Sequence, residues 1–320
     1  MDTLSRLIDL ARPQTSLDLR CLLTGGFDVD HAPMEAGVAP FHVVLGGACV
    51  VETVDGTRIA LQAGDFMLFP RGAAHRVRDV ARMALTAPLR MSHDGMLPVR
   101  RNEGHGDGID EAHAHADLDL LCGRFVYAPG SSALLLDALP DPFHVSLGGA
   151  QALGALQALI ALMRSEAEQR QPGALAIVTA LSHALFAMAL RVHGERNESG
   201  CGVLALLADA RLGSSVQGML SAPERAWTIA GLGELAAMSR ATYARHFNER
   251  AGMTVMDFLT RIRMTIACDL LRRTQRSTAE IGEAVGYQSE AAFGKAFQQS
   301  MGVTPGRYRR RPQENDAAQS

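Results

Sequence analysis

The sequence predicts an α+β protein of two domains, an all-β barrel with a helical connector followed by an all-α module built on a repeated two-helix unit. Three observations carry this. Short β-like runs punctuated by Gly, Pro and Asp fill the stretch from Leu17 to Phe143. Apolar residues recur at helical spacing from Gly148 onward. The C-terminal segment matches itself at an offset of fifty residues. A length of 320 residues suits two domains, at roughly 100–200 residues each.

The β-like runs are Phe41–Leu45, Cys49–Val54, Arg58–Leu61, Phe66–Phe69 and His75–Val80, and their close spacing predicts a barrel or sandwich. Arg101–Asp117 is polar and Gly-rich and reads as an exposed loop, with His113, His115 and Asp117 alternating inside it. Met34, Met67, Met83, Met91 and Met96 read as gap filler in a core. Leu153, Leu156, Leu159, Ile160 and Met163 then mark one helix and Leu175–Val192 a second, with Pro172-Gly173 turning them into an antiparallel pair. These leucine- and alanine-rich helices are candidates for a homodimer contact. Gly194–Gly202 reads as a linker, and Val203–Leu220 as one further helix. The expected division is 1–147 barrel, 148–202 connector and linker, 203–311 helical module and 312–320 disordered tail.

Hydrophobic residues make up 47% and charged residues 20%, as in ordinary globular proteins. No apolar run is read as reaching the ~20 residues a bilayer requires. Met1–Leu10 carries Asp2 and Asp9 and lacks the order of a signal peptide. A cytoplasmic protein without a membrane partner is expected. Cys21, Cys49, Cys122, Cys201 and Cys268 form no CxxC pair, which argues against a disulfide framework and a structural zinc site. The net charge of −3 hides an asymmetry: Pro223–Pro312 holds 14 basic and 8 acidic residues, the remainder 17 and 26. A basic segment on an acidic body points to a polyanionic partner for that segment.

In the repeat, Ser239, Phe247, Gly252, Thr254 and Phe258 return as Ser289, Phe297, Gly302, Thr304 and Tyr308. Each copy reads as a helix, a tight turn and a second helix capped by its Ser. Ile229, Leu232, Leu235 and Ala236 line the inner face of the first helix in copy one, and Ile281, Ala284 and Val285 do so in copy two. Gly233 and Gly282 stand where the paired helices cross, and Gly286 supplies a left-handed turn position. Tyr243 with Phe247, and Phe293 with Phe297, pin each second helix to its core.

The strings MSRATYARHF, RIRMTIACDLL, IGEAVGYQSEAAFGKAF and GVTPGRYRR make Trp227–Arg310 similar to the DNA-binding domain of the AraC/XylS family of transcription regulators. The resemblance implies two helix-turn-helix modules of homeodomain-like kind, joined by a long helix at about Val255–Arg272, with double-stranded promoter DNA as partner and RNA polymerase as a further one. By position, base edges would be met by Ala241, Ala244 and Arg245 in the first recognition helix and by Ala291, Ala292 and Lys295 in the second. Arg240, Arg261, Arg263, Arg272, Arg273, Arg307 and Arg309 are the phosphate candidates.

Gly64–Pro70, ending at His75, resembles the second motif of the cupin barrel, and Phe41-His42, LLCGRFVYAPG and LDALPDPFH resemble cupin-type sensor domains attached to AraC-family members. Many cupins hold a metal through three His and one Glu. Here His75 and His42 are the weak candidates, and no cofactor is expected. The opening MDTLSRLIDLARPQTSLDLRC, the pair Cys122-Gly123 and the stretch ADARLGSSVQGML resemble the family's reactive-chlorine-responsive activators. That resemblance implies oxidant sensing through Cys21. Those relatives carry a second cysteine three residues before the CG cysteine, where this chain has Asp119. Cys122, Cys49 or a second subunit's thiol remain as resolving partners, with Arg20 and Arg12 expected to favour the Cys21 thiolate. Cys201 and Cys268 are read as incidental. The alternatives are a small-molecule ligand in the barrel, a metal-dependent cupin enzyme with a DNA-binding appendage, and a non-specific nucleic-acid binder.

Overall fold

The computed structural model describes residues 2–85, 87–93, 96–102, 116–127, 130, 134–136, 138–146, 153–196 and 202–310. His113, His115, Cys201 and the 312–320 tail lie outside the described residues. The chain divides into two compact units, one of 13–127 with 139–196 and one of 1–12 with 128–138 and 197–320.

The first unit is a ten-stranded curled sheet backed by two helices. Its strands are β1 (Gln14–Leu23), β2 (Asp28–His31), β3 (Val38–Thr53), β4 (Arg58–Gln62), β5 (Asp65–Leu68), β6 (His75–Arg78), β7 (Arg90–His93), β8 (Pro98–Arg101), β9 (Leu118–Val126) and β10 (Phe143–Ser146). They run in the order β10-β5-β3-β9-β1-β8-β7, while β4 and the β2–β6 pair attach to β3.

The runs Phe41–Leu45 and Cys49–Val54 prove to be one strand. β3 stays continuous but shifts register between Val44 and Gly46, so its first half pairs with β5 and β9 and its second with β4 and β6. Such a bulge bends a strand and strengthens its twist, which lets one strand serve both walls of the curl. At Gly47 the backbone has a φ of +77°, and a Cβ there would lie 1.8 Å from the Asp117 carbonyl oxygen, so only glycine fits. Alternation along β9 and β1 buries Leu118, Leu120 and Cys122 with Cys21 and Leu23 on the inner face. Of the methionines expected in the core, Met67 is buried, but Met34, Met83 and Met91 are exposed.

Helices α2 (Leu153–Gln169) and α3 (Ala174–Arg196) pair across Gly173, whose φ is +91°. The stretch Ala174–Glu195 is long and apolar enough to cross a membrane, which corrects the reading that no run approaches that length. Val178, Leu185, Phe186 and Ala189 of α3 are buried, and the Phe186 ring sits 4.7 Å from Phe125. Apolarity here serves the sheet. Leu162, Leu175 and Ile177 remain exposed.

The second unit is all helix. α1 (Thr3–Ala11) buries Leu7 and Leu10 in the same core as Val216, Trp227, Leu232 and Phe247. The first twelve residues therefore pack with the helical unit, whereas the expected division gave them to the barrel. α4 (Val203–Ala208) and α5 (Gly213–Ser221) replace the single helix expected over Val203–Leu220. The break is at Asp209, whose carboxylate accepts from the free N–H groups of Arg211 at 3.0 Å and Leu212 at 3.2 Å.

The remaining helices are α6 (Ile229–Leu235), α7 (Arg240–Ala251), α8 (Val255–Arg273), α9 (Thr278–Ala284), α10 (Glu290–Met301) and α11 (Pro305–Arg310). α8 joins two cores. Its Phe258, Leu259 and Ile262 pack with Tyr243 and Phe247, and its Met264, Cys268 and Leu271 pack with Phe293, Phe297 and Tyr308.

Candidate functional site

Each repeat folds as a helix-turn-helix, α6–α7 and α9–α10. Ser239 Oγ accepts from the Thr242 N–H at 3.3 Å and Ser289 Oγ from the Ala292 N–H at 3.2 Å, so both second helices begin at the expected serines. A Cβ on Gly233 would come within 2.9 Å of the Met238 carbonyl oxygen, and one on Gly282 within 3.0 Å of Phe293 Cβ. Close crossing is what these glycines permit. Tyr243 lies 5.8 Å from Phe247 and Phe293 lies 5.6 Å from Phe297, both as the spacing predicts. Leu235 departs from its reading: it is exposed, at the end of α6.

The buried aromatic face of each second helix turns its opposite face outward. Ala241 and Arg245 on α7, and Ala291, Ala292 and Lys295 on α10, are exposed, while Ala244 is half-buried. Arg245 is held loosely by Glu249 one turn on, at 3.4 Å with both side chains mostly solvated, a pair worth little in water. Arg240, Arg261, Arg272, Arg273 and Arg307 are exposed as well.

Two arginines leave the phosphate set. Arg263 donates from Nε to the Pro223 carbonyl at 2.8 Å and from Nη2 to the Arg225 carbonyl at 3.0 Å, and its guanidinium lies 5.7 Å from the Tyr287 ring. Arg309 donates to the carbonyls of Leu271 and Arg276. Each ties the chain to itself, so neither is carried forward as a phosphate contact.

The barrel interior gathers three thiols and three imidazoles. Cys21, Cys49 and Cys122 are buried in one apolar cluster. Leu19 of β1 faces Cys122 of β9 and Cys21 faces Leu120, so Cys21 and Cys122 are diagonal neighbours on the inner face. The neighbouring Cys21 thiol and burial push Cys122 well up from the ordinary thiol value. Cys49 is pushed up to about 12 by burial.

Arg20 does not serve Cys21. Successive strand residues face opposite ways, and its guanidinium binds Asp119 bidentately at 2.7 and 2.8 Å and the Ala167 carbonyl at 3.1 Å. Arg12 pairs with Asp269 at 3.6 Å in the helical unit. The cation among the thiols is Arg100, which faces Cys21 across β1–β8 and whose charge lowers Cys122 against its other influences. Asp119 is thus a salt-bridge residue.

His42 and His75 come together as candidate ligands: their Nε2 atoms are 2.7 Å apart. His31, which the sequence reading missed, completes a set whose ligand atoms all lie within 4.8 Å of one another. The β2–β6 register places His31 opposite His75, and alternation with buried Val29 turns it inward. Burial lowers all three imidazoles, His31 to about 3 and His42 well below its ordinary value. As neutral bases they fit a metal ion, and the buried Nε2 of His31 has no hydrogen-bond partner. A cavity of about 500 Å³ borders the cluster, lined by Leu17, Asp18, His31, Pro40, His42, Cys122 and Arg124 among others.

A curled β-sheet domain followed by a tandem helix-turn-helix defines a two-domain transcription regulator. The family descriptions that match are a cupin over residues 2–195 and a helix-turn-helix domain over 232–311. The chain belongs to the AraC family of transcription regulators with a cupin N-terminal half, and its helical half is a DNA-binding domain. It is 33% identical over 98% of its length, and 99% of the relative's, to a Streptomyces lividans protein named as an AraC-like transcription regulator. It is 31% identical to the HTH-type transcriptional regulator MtrA of Neisseria gonorrhoeae, covering 97% of this chain and 98% of that one. It is 29% identical to the RCS-specific HTH-type transcriptional activator RclR of Escherichia coli, again over 97% and 98%.

Proposed function

We propose that this regulator binds specific promoter DNA through α7 and α10 and that oxidation of the Cys21–Cys122 pair in the cupin half controls it. The observation that carries the proposal is that those two buried thiols are diagonal neighbours on the inner face of β1 and β9. An oxidant such as hypochlorous acid reaches the pair through the cavity that Cys122 lines. One thiolate attacks chlorine, giving a sulfenyl chloride and hydroxide. The second thiol displaces chloride, loses its proton and closes a disulfide.

Diagonal strand neighbours typically stand ~7–8 Å apart, whereas a disulfide needs Cα atoms within ~4.4–6.8 Å. Closure therefore pulls β1 against β9. β1 continues directly from α1, which is packed in the DNA-binding unit, so strain in β1 has a covalent route to the DNA-reading half. The switch would act by shifting the populations of DNA-competent and incompetent states.

On DNA, Arg245 and Lys295 would read guanine edges, with Ala241, Ala244, Ala291 and Ala292 against thymine methyls. Arg240, Arg261, Arg272, Arg273 and Arg307 would hold phosphates. The exposed Leu162, Leu175 and Ile177 on α2 and α3 are the proposed homodimer face, and RNA polymerase is the proposed second partner at the promoter. A second reading rests on the cavity: about 500 Å³ lies within the usual range of small-ligand sites.

The test is a DNA-shift and promoter-reporter assay with hypochlorous acid on wild type, Cys21→Ala, Cys122→Ala and Cys49→Ala. Loss of response in the first two and retention in the third is expected, with a Cys21–Cys122 disulfide seen by peptide mass mapping. An unchanged response in Cys21→Ala removes the thiol mechanism and favours a cavity ligand.

A further inference from the structure

We propose that Arg100 selects anionic oxidants for the thiol pair and directs them to Cys21. Cys21 is then the thiol oxidised first and Cys122 the one that resolves. The proposal rests on the thiol reading above and adds the substrate class and the order of the two cysteines.

The strand register places the guanidinium. β8 runs parallel to β1 with Arg100 opposite Cys21, Val99 opposite Arg20 and Arg101 opposite Leu22. Side chains alternate along a strand, so Arg100 shares the inner face with Cys21 while Val99 and Arg101 turn the other way. Cys21 is buried and Arg100 half-buried, so the guanidinium is the more accessible of the two.

The charges around the cavity leave Arg100 uncompensated. Asp18 and Arg124, which both line it, pair with each other at 3.1 Å. Burial keeps the imidazoles of His31, His42 and His75 neutral. Asp65, whose charge reaches Cys49, lies 3.2 Å from His144 Nε2 and accepts from the Gln62 N–H at 3.1 Å. Among the described residues no carboxylate pairs with Arg100. Its positive charge is felt at His31 and at Cys122, two residues of the cavity wall. A low-dielectric pocket with one excess positive charge concentrates small anions.

The charge balance of the reaction suits that position. Hypochlorite brings one negative charge. The Cys21 proton passes to its oxygen, the thiolate attacks chlorine, and hydroxide leaves as the sulfenyl chloride forms. A single negative charge thus stays beside the guanidinium, on the oxidant, then on sulfur, then on hydroxide. The Cys122 sulfur next displaces chloride from Cys21, and its proton joins hydroxide as water. Two thiols and one hypochlorite give one disulfide, one chloride and one water. A neutral oxidant such as monochloramine gains no Coulombic attraction on approach.

The experiment measures Cys21 modification in the full chain by rapid quench and peptide mass mapping, for wild type, Arg100→Gln, Arg100→Lys and Arg90→Gln. Two probe pairs are compared, iodoacetate against iodoacetamide and hypochlorite at alkaline pH against monochloramine. The anion-to-neutral rate ratio should fall by about tenfold in Arg100→Gln, the order set by removing one charge a few ångströms from an anion. Arg100→Lys should restore most of it. Arg90→Gln removes an exposed arginine of β7 that pairs with Arg101 on the other face, and should leave the ratio unchanged. With hypochlorite, Cys122→Ala should accumulate a dimedone-trapped sulfenic acid at Cys21, and Cys21→Ala far less at Cys122.

An unchanged ratio in Arg100→Gln, or equal slowing of anionic and neutral probes, overturns the selection. More sulfenic acid at Cys122 than at Cys21 overturns the order. If the promoter response survives in Cys21→Ala while the iodoacetate ratio still depends on Arg100, the thiol switch fails and the anion selection stands. If Arg100→Gln fails to fold, as judged by circular dichroism, the wild-type iodoacetate ratio decides. A ratio above that of the urea-unfolded chain supports the selection, and one at or below it overturns it.

Discussion

The guanidinium of Arg20 and the carboxylate of Asp119 form a buried bidentate pair between β1 and β9, at 2.7 and 2.8 Å, with 1% and 8% of their side chains exposed. The pair sits one residue from Cys21 on the opposite face, so it fixes the register of the very strands that carry the thiols. Removing one partner leaves the other only a more distant counter-charge, Glu168 at 3.9 Å for Arg20 or Arg164 at 3.7 Å for Asp119. The loss should therefore approach, from below, the about 3–5 kcal/mol of breaking an isolated buried pair. Arg20→Ala and Asp119→Ala should each lower the urea midpoint of the cupin half accordingly, while Arg20→Met/Asp119→Leu should recover most of the loss. A single variant with unchanged stability would show that the pair does not hold the β1–β9 seam.

Asp209 gives the helical half an acid dependence. Its carboxylate accepts from the N–H groups of Arg211 and Leu212 and lies 2.7 Å from His246 Nε2. Burial opposes its ionisation, yet the bonds from His246, Arg211 and Leu212 outweigh that and hold its pKa below 3.8. A depressed carboxylate pKa contributes stability that is fully present above the unfolded value and fades as pH falls through the folded one. The stability gap between wild type and Asp209→Ala should therefore shrink as pH falls past 3.8. Urea unfolding across the acid range measures it. A gap that stays constant there would remove Asp209 as the titrating group.

The helical half was legible because its signals are local. Ser caps, crossing glycines and aromatics four apart all act within one turn or one repeat, and the offset of fifty aligned them. Asp209 was misread for a related reason: in a run of alanine and leucine a single Asp looks tolerable, but its side chain competes for backbone N–H groups and splits the helix. The barrel interior depends on register, which no local pattern supplies. His31 sits in Asp28–His31, a four-residue strand, and becomes a neighbour of His75 only through β2–β6 pairing. Its alternation with Val29 was the one available signal. Arg20 was misjudged by reading sequence adjacency as spatial adjacency, although in a strand adjacent residues part company.

Arg263 and Arg261 separate structure from DNA contact two residues apart on α8. Arg263 donates to the Pro223 and Arg225 carbonyls, whereas Arg261 is exposed. Hydrogen bonds from a charged donor are typically worth about 1.5–3 kcal/mol. Arg263→Ala should thus lower the Tm of the helical half and leave the salt dependence of DNA binding unchanged. Arg261→Ala should leave Tm alone and reduce the slope of log K against log salt by about 1. Thermal unfolding beside a salt series of fluorescence anisotropy distinguishes them, and a reversed pattern would exchange their roles.

Arg245 carries the sharpest prediction about sequence reading. It is the one long basic side chain among the three outward positions of α7, flanked by Ala241 and Ala244, and its ion pair with Glu249 is weak enough to break on docking. Loss of a bidentate guanine contact costs about 1–3 kcal/mol. Arg245→Ala should weaken the cognate site by that amount and flatten discrimination at one base pair, while binding to unrelated DNA barely changes. Lys295→Ala on α10 should have a smaller effect, because Glu290 and the alanines beside it give that helix fewer ways to hold a base edge. Competition binding against a site library reads both variants. Uniform weakening across all sequences would make Arg245 a phosphate contact and shift the reading to α10.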